Sequence, residues 1–267
     1  MVKDRLPGGE LVAGGPALYC ARAAIALEAS VDLVTHLPAR FPPEAIEGVN
    51  LVGPVVETFP IFENTYDGHT RSQRMTGESL PLDARLAGYT GAGDALLLAP
   101  AFRELSGWPP GVVRVRAVSL QGVLRDRDGE SHVRPRDDAL PAAMAFAEPG
   151  TMAVFSDEDC SDPMGLALAL AAAGMIVALT HGDRGASLFS GECRKDYDAI
   201  PTGGVVDPTG AGDCFTTALV LRYAETGDLE EAMTWGLAAG SIAVEREGLR
   251  AAATRDELRH RIAGRAA

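Results

Sequence analysis

Lysine is nearly missing from this chain. Lys3 and Lys195 stand against 22 arginines, and neither lysine follows a glycine. A Gly-Lys-Ser/Thr phosphate loop is therefore excluded on residue type, so any phosphate held here is held by backbone amides and arginine. Positive charge is scarce overall. The formal net charge of −13 argues against nucleic acid as a partner, because a phosphate backbone needs a basic surface. The cysteines Cys20, Cys160, Cys193 and Cys214 form no close pair and no metal-ligand spacing. No two of the five histidines lie i, i+4 apart, so structural zinc is not expected. An apolar run of about 18 residues, the length that suggests a membrane span, is absent, as is a signal-peptide pattern. A cytoplasmic location without a membrane partner is the expectation. No Gly-x-Gly-x-x-Gly follows a strand near the start, which disfavours a dinucleotide-binding oxidoreductase.

What is present reads as one folded unit. A chain of 267 residues, 46% of them apolar, is long enough for a single large core over residues 1–267. Short apolar runs at 31–35, 95–99, 113–120, 151–156 and 175–180 alternate with helical stretches. That alternation is the pattern of a mostly parallel sheet with helices on both faces. Right-handed crossovers collect the strand ends on one edge, where ligands bind. Between 49 and 77 the helical period weakens, and Asp67-Gly68 separates two β-prone runs, a hairpin signal.

The chemistry concentrates at Asp207-Pro208-Thr209-Gly210-Ala211-Gly212-Asp213, followed by a helical run from Cys214. Glycines at a helix start let the backbone approach a ligand. The first-turn N–H groups have no partner inside the helix and are available to an anion. A carboxylate among them can act as a base beside developing negative charge, which phosphoryl transfer to a hydroxyl requires. The same five letters recur at Thr90-Gly91-Ala92-Gly93-Asp94. There they precede Ala95-Leu96-Leu97-Leu98, which reads as a buried strand. A strand start offers no fan of free amides, so the first copy is a loop and the second is the candidate site.

Asp-x-Thr-Gly-Ala-Gly-Asp resembles the signature of the ribokinase (PfkB) family of ATP-dependent sugar and nucleoside kinases. Further matches follow in order along nearly the whole chain: Gly14-Gly15, a lid-like region, the alternating core, and Thr180-x-Gly182-x-x-Gly185. The resemblance implies an α/β three-layer sandwich with a small β lid, built here from residues 5–13 and 49–77. It implies that Asp213 deprotonates the acceptor hydroxyl, with Gly210, Ala211, Gly212 and Asp213 forming the anion hole. Thr180, Gly182, Gly185, Thr209 and Gly248 would line ATP. Asp4, Gly14, Gly15, Tyr19 and Glu63, with Asp213, would meet the acceptor. Asn64, Tyr66 and Arg71 are further lid candidates. Asp159 stands where the family has an acid that reaches Mg²⁺ through water, in Ser-x-x-Asp instead of Asn-x-x-Glu. Tyr19 stands about where the family often has Asn.

One departure concerns the start. Family chains usually begin with an apolar strand that ends near a substrate-binding Asp. Here Met1-Val2-Lys3 precedes Asp4, so that strand is expected to be missing and its place in the sheet open. The resemblance points to a small sugar or polyol acceptor, a cyclitol such as inositol included. A nucleoside kinase of the same family and a catalytically silent ligand-binding homologue are the alternatives. A monomer or homodimer is expected.

Overall fold

The structure is a computed structural model that describes residues 1–5, 9–67, 70–111 and 113–265. Residues 6–8 of the expected lid, the turn residues Gly68 and His69, and the side chains of Tyr66 and Arg71 lie outside the described residues. Strands β1 (Val2–Arg5) and β2 (Leu11–Gly14) lead into helix α1 (Pro16–Ala26). Then come β3 (Val31–Val34), β4 (Leu37–Pro38), β5 (Val49–Val52), β6 (Val55–Val56), β7 (Ile61–Asp67) and β8 (Thr70–Thr76). Next are α2 (Asp83–Ala87), β9 (Ala95–Leu98), β10 (Val115–Ser119), β11 (Arg125–Arg127), β12 (Val133–Pro135) and α3 (Ala139–Met144). The chain continues through β13 (Met152–Ser156), α4 (Pro163–Ala172), β14 (Ile176–Thr180), β15 (Ala186–Ser190) and β16 (Cys193–Tyr197). It closes with α5 (Ala211–Thr226), α6 (Leu229–Ala243) and α7 (Arg255–Arg265).

The main sheet has the order β16-β15-β14-β13-β10-β9. Strands β9, β10, β13 and β14 run parallel, and β15 and β16 are antiparallel additions. Strand β13 shows why the sheet is covered twice. Met152 and Val154 pack with α5 and α6 residues such as Leu219 and Trp235. Ala153 and Phe155, pointing the other way, pack with Leu166 and Leu170 of α4. A strand that is apolar on both faces is stable only between two layers. The outer strand β16 carries Arg194, Lys195 and Asp196, charges that discourage edge-to-edge pairing.

The second sheet, ordered β2-β1-β7-β8, holds most of the residues expected to form the lid. Its extent differs from the expectation at both ends. Residues 49–52 pair in parallel with β3 and not with the lid. They leave the lid because Val31, Val49 and Leu51 pack against a separate small core with Leu18 and Leu33. Residues 2–5, expected to carry no strand, form β1, antiparallel to β2 and parallel to β7. Strand β9 stands at the edge of the main sheet. The first Thr-Gly-Ala-Gly-Asp copy has no regular structure and leads directly into β9.

Helices α5 and α6 form a tight pair beneath the sheet. Gly227, in the left-handed conformation at φ 69°, stops α5, and the Asp228 side chain accepts from the Glu230 and Glu231 amides to start α6. Gly236 sets their separation. A Cβ there would lie 3.1 Å from Phe215 ring carbons and from the Phe215 carbonyl oxygen. We expect Gly236→Val to destabilise the protein by roughly 1–3 kcal/mol through overpacking, read from chemical denaturation. An unchanged midpoint would mean that the two helices lie farther apart.

Candidate functional site

The motif turn is built by its glycine and its first aspartate. Gly210 is the N-cap of α5 at φ 81°, a conformation that residues with a Cβ rarely adopt. A Cβ there would fall 2.4 Å from Cδ1 of Tyr19, so the aromatic ring occupies the space a side chain would need. Upstream, one Asp207 oxygen accepts from the Thr209 amide at 2.9 Å and the other from the Gly248 amide at 3.1 Å. That carboxylate ties the motif loop to the loop after α6.

The anion hole is narrower than the sequence implies. The Ala211 amide donates to the Pro208 carbonyl at 3.2 Å, so it is already engaged. The Cys214 amide closes the first helical bond onto the Gly210 carbonyl at 2.9 Å. Gly212 and Asp213, between them, are the first-turn residues whose amides precede that bond. A Cβ on Gly212 would meet nothing within 4 Å, so the space in front of the turn is open. Asp213 is half-buried, and its carbonyl accepts from the Thr217 hydroxyl at 2.8 Å and from the Cys20 thiol at 3.8 Å, which pins it to α1. Burial and the nearby Asp213 push both the Cys20 and the Cys214 thiols up, the latter to about 12. Both cysteines are therefore neutral packing groups here.

On the acceptor side the Gly14-Gly15 pair admits the lid. A Cβ on Gly14 would sit 1.8 Å from an Asp4 carboxylate oxygen, and one on Gly15, at φ 96°, 2.8 Å from Val2. Strand β1 thus presses onto the start of α1, which brings Asp4 beside Tyr19. The Tyr19 hydroxyl is held above its ordinary range, first by burial and then by the negative fields of Asp4, Asp207 and Asp213. The Tyr19 phenol thus feels the negative fields of carboxylates from β1, from the motif loop and from α5. Glu63 is not brought into this group. It is exposed on the opposite face of the lid, where it pairs across strands with Arg74. Asn64 faces inward.

On the donor side, β14 ends in the turn 180–185. The Thr180 hydroxyl donates to the Phe155 carbonyl at 3.4 Å. A Cβ on Gly185 (φ 101°) would fall 2.0 Å from the Tyr197 carbonyl oxygen, so this glycine is required by the neighbouring strand. Gly182 and Gly248, at φ 61° and 55°, have open space where a Cβ would be. Near Gly248 a cavity of about 480 Å³ is lined by Val206, Glu245, Arg246, Glu247 and Arg250. Asp159 accepts the Ser156 amide at 2.8 Å in a tight turn. Among the described residues, no group of three or more His, Cys, Asp or Glu is placed to hold a metal. The fit to Mg²⁺ is that of an ion that keeps most of its waters and takes one or two carboxylates with phosphate oxygens.

Sequence reasoning missed two features here. The tie made by Asp207 was legible as an acid two residues before a helix-opening Thr-Gly, the local geometry in which Asp accepts an amide. The second feature is His181, whose neighbours in sequence mark no partner for it. Its ring instead bridges Asp157 and Ser187, each at 2.9 Å, and Asp157 also holds Arg184 at 2.5 Å. Nothing in the local sequence marks that network, because Asp157, just after β13, lies 24 residues from His181. No helix among the described residues is long and apolar enough to cross a membrane.

Three comparisons bear on the fold and the site. Residues 138–256, which include the motif, match the pfkB family of carbohydrate kinases. A nucleoside kinase of Methanocaldococcus jannaschii is 33% identical over 70 residues, covering 26% of this chain and 23% of that protein. A pyrophosphate-dependent kinase of the ribokinase family, complexed with a pyrophosphate analog and myo-inositol, superposes with a TM-score of 0.71 at 16% identity, over 97% of this chain and 96% of that one. Arabidopsis thaliana ribokinase complexed with ribose and ATP gives 0.67 at 18% identity, over 98% and 94%. The fold is ribokinase-like across the chain.

The Tyr19–Gly210 contact makes a direct prediction. Gly210→Ala should destabilise by roughly 1–3 kcal/mol, from the strained backbone and the clash. Tyr19→Ala in the same background should return part of that cost. A double-mutant cycle by denaturation should give a coupling of about 0.5–3 kcal/mol, whereas strictly additive losses would mean that the ring lies elsewhere.

Proposed function

We propose, from the membership of residues 138–256 in the pfkB family of carbohydrate kinases, that this chain transfers a phosphoryl group from ATP to a hydroxyl of a small sugar or polyol. Kinases of this family are phosphotransferases that act on hydroxyl groups. The observation that carries the reading is the seat of Asp213. It is the third residue of α5, in the turn with Gly212, and its negative field and that of Asp4 both reach Tyr19.

Each group then has a task. Asp213 accepts the proton of the attacking hydroxyl. The amides of Gly212 and Asp213, in the first turn of α5, hold the negative charge on the transferred group. Asp4 accepts hydrogen bonds from acceptor hydroxyls and fixes the ring that carries them. The Tyr19 phenol, kept neutral by burial and then by its acidic neighbours, remains a donor. Gly182 and Gly248 leave room for the donor phosphates, and the Asp207 tie holds the two donor loops at a fixed separation. Asp159 is the carboxylate assigned to Mg²⁺, which when bound supplies charge neutralisation on those phosphates. The lid keeps water, a competing acceptor, from the site.

Two alternatives have specific support. The name of the Methanocaldococcus relative favours a nucleoside acceptor. The myo-inositol complex of the structural neighbour favours a cyclitol, and that protein uses pyrophosphate as donor. Purified protein tested with ATP and with pyrophosphate across sugars, cyclitols and nucleosides separates these readings. Asp213→Asn should lower kcat by roughly 10²–10⁴, the range for losing a positioned base, while ATP binding survives. Full activity in that variant would sink the assignment.

A further inference from the structure

We infer that His181 is a positioning residue for the phosphoryl donor: through Asp157 and Ser187 it holds the turn 180–185 in place for a polyphosphate. The inference rests on the kinase reading above and goes beyond it, because His181 belongs neither to the motif nor to the glycines of the turn.

The turn needs a strut because its own sequence is loose. Gly182 and Gly185 both sit at positive φ, 61° and 101°, and glycine loses more conformational freedom on ordering than any other residue. Residues 182–184 are exposed. The bonds inside the turn are long: the Arg184 amide donates to the His181 carbonyl at 3.2 Å and the Gly185 amide to the Gly182 carbonyl at 3.3 Å. The His181 side chain supplies what the backbone lacks. Its Nδ1 lies 2.9 Å from Asp157 Oδ2, just after β13, and its Nε2 lies 2.9 Å from the Ser187 hydroxyl on β15. Strand β14 runs between β13 and β15 in the sheet, and His181 directly follows it. The ring thus clamps the end of β14 to both of its neighbours. Asp157 also takes Arg184 from the far side of the turn at 2.5 Å.

Aspartate, histidine and serine are also the parts of a hydrolytic triad, and burial excludes that use. Ser187 is 1% exposed, and its hydroxyl is shared among His181, Asp196 at 2.5 Å and Arg194 at 3.5 Å. No substrate carbonyl reaches it. What the set controls is the turn beside it. Gly182, the residue after His181, has open space where a Cβ would be. A turn already held still loses less entropy on binding than one that must be ordered by its ligand. Support from beneath also leaves the open face of the turn to phosphate oxygens. The effect falls on the donor, because Asp157, Ser187 and Asp196 belong to β13, β15 and β16 or their ends, whereas Asp4 and Tyr19 belong to β1 and α1.

The test measures donor and acceptor KM separately in His181→Ala, His181→Asn and Ser187→Ala proteins. His181→Ala should raise the donor KM by roughly 3- to 10-fold, the effect of one hydrogen bond, and leave the acceptor KM unchanged. His181→Asn keeps an amide donor toward Asp157 and should fall between that variant and the unaltered protein. Ser187→Ala should raise the donor KM by itself and add nothing in the His181→Ala background, because both act through one ring. A purely structural role would lower the denaturation midpoint and leave both KM values unchanged or raise them together. That result, or fully additive losses, overturns the inference. Calorimetric binding of ATP and of pyrophosphate to Asp213→Asn protein, with and without His181→Ala, separates the two levels. If donor binding depends on His181 but the unaltered protein transfers no phosphoryl group, the kinase reading fails and this one stands. If transfer occurs and donor binding ignores His181, the reverse holds. Binding of neither donor overturns both.

Discussion

The aromatic ring of Tyr19 packed against Gly210 is the contact on which the arrangement depends. It joins the first helix to the turn that opens the fifth. Because Gly210 lacks a Cβ, the ring can fill the place where a side chain would be. Because Gly210 sits at φ 81°, the chain turns sharply into α5 and exposes its first amides. Interiors are close-packed, so a ring seated there leaves the turn little freedom. The same phenol is buried and lies in the negative fields of Asp4, Asp207 and Asp213. Three carboxylates around one buried hydroxyl make a strongly acidic site, consistent with a chain whose net charge is −13 and with chemistry that removes a proton from a neutral acceptor.

A second constraint sets the donor side. Asp207 accepts the amide of Thr209 in its own loop and that of Gly248, 41 residues further along the chain. Their relative position is thereby fixed by two hydrogen bonds to one ionised group, which are stronger than neutral ones. The turn at 180–185 is held from beneath by a different network, through His181, Asp157 and Ser187. The space between these loops is glycine-lined and open, while everything supporting it is bonded or packed. Rigid support under an open cradle is what electrostatic preorganisation requires.

The lid shows a division of labour between its two faces. Glu63 and Arg74 are exposed on its outer face, where Lys3 donates to the Ala39 and Arg40 carbonyls. Asp4, Asn64 and Gln73 point inward beside buried Phe62 and Met75. In a β-sheet neighbouring residues alternate sides, so Glu63 and Asn64 could not both meet one ligand. An acid looks the stronger candidate in the sequence, and only the register shows that its neighbour is the one on the face of Phe62 and Met75.

Much of the fold was legible in the sequence because it follows local rules. Apolar runs of strand length, glycine and aspartate at helix ends, and the context of the two Thr-Gly-Ala-Gly-Asp copies depend on residues close together in the chain. The architecture and the seat of Asp213 at a helix start came from those. Tertiary structure alone decided three further matters. It engaged the Ala211 amide with Pro208, it paired residues 49–52 with β3, and it turned Glu63 outward while turning Gln73 inward. Each of these is a question of which strand lies beside which, and in what register. A one-residue shift in register reverses every side chain on a strand, and the periodicity of a single strand carries no record of its neighbour.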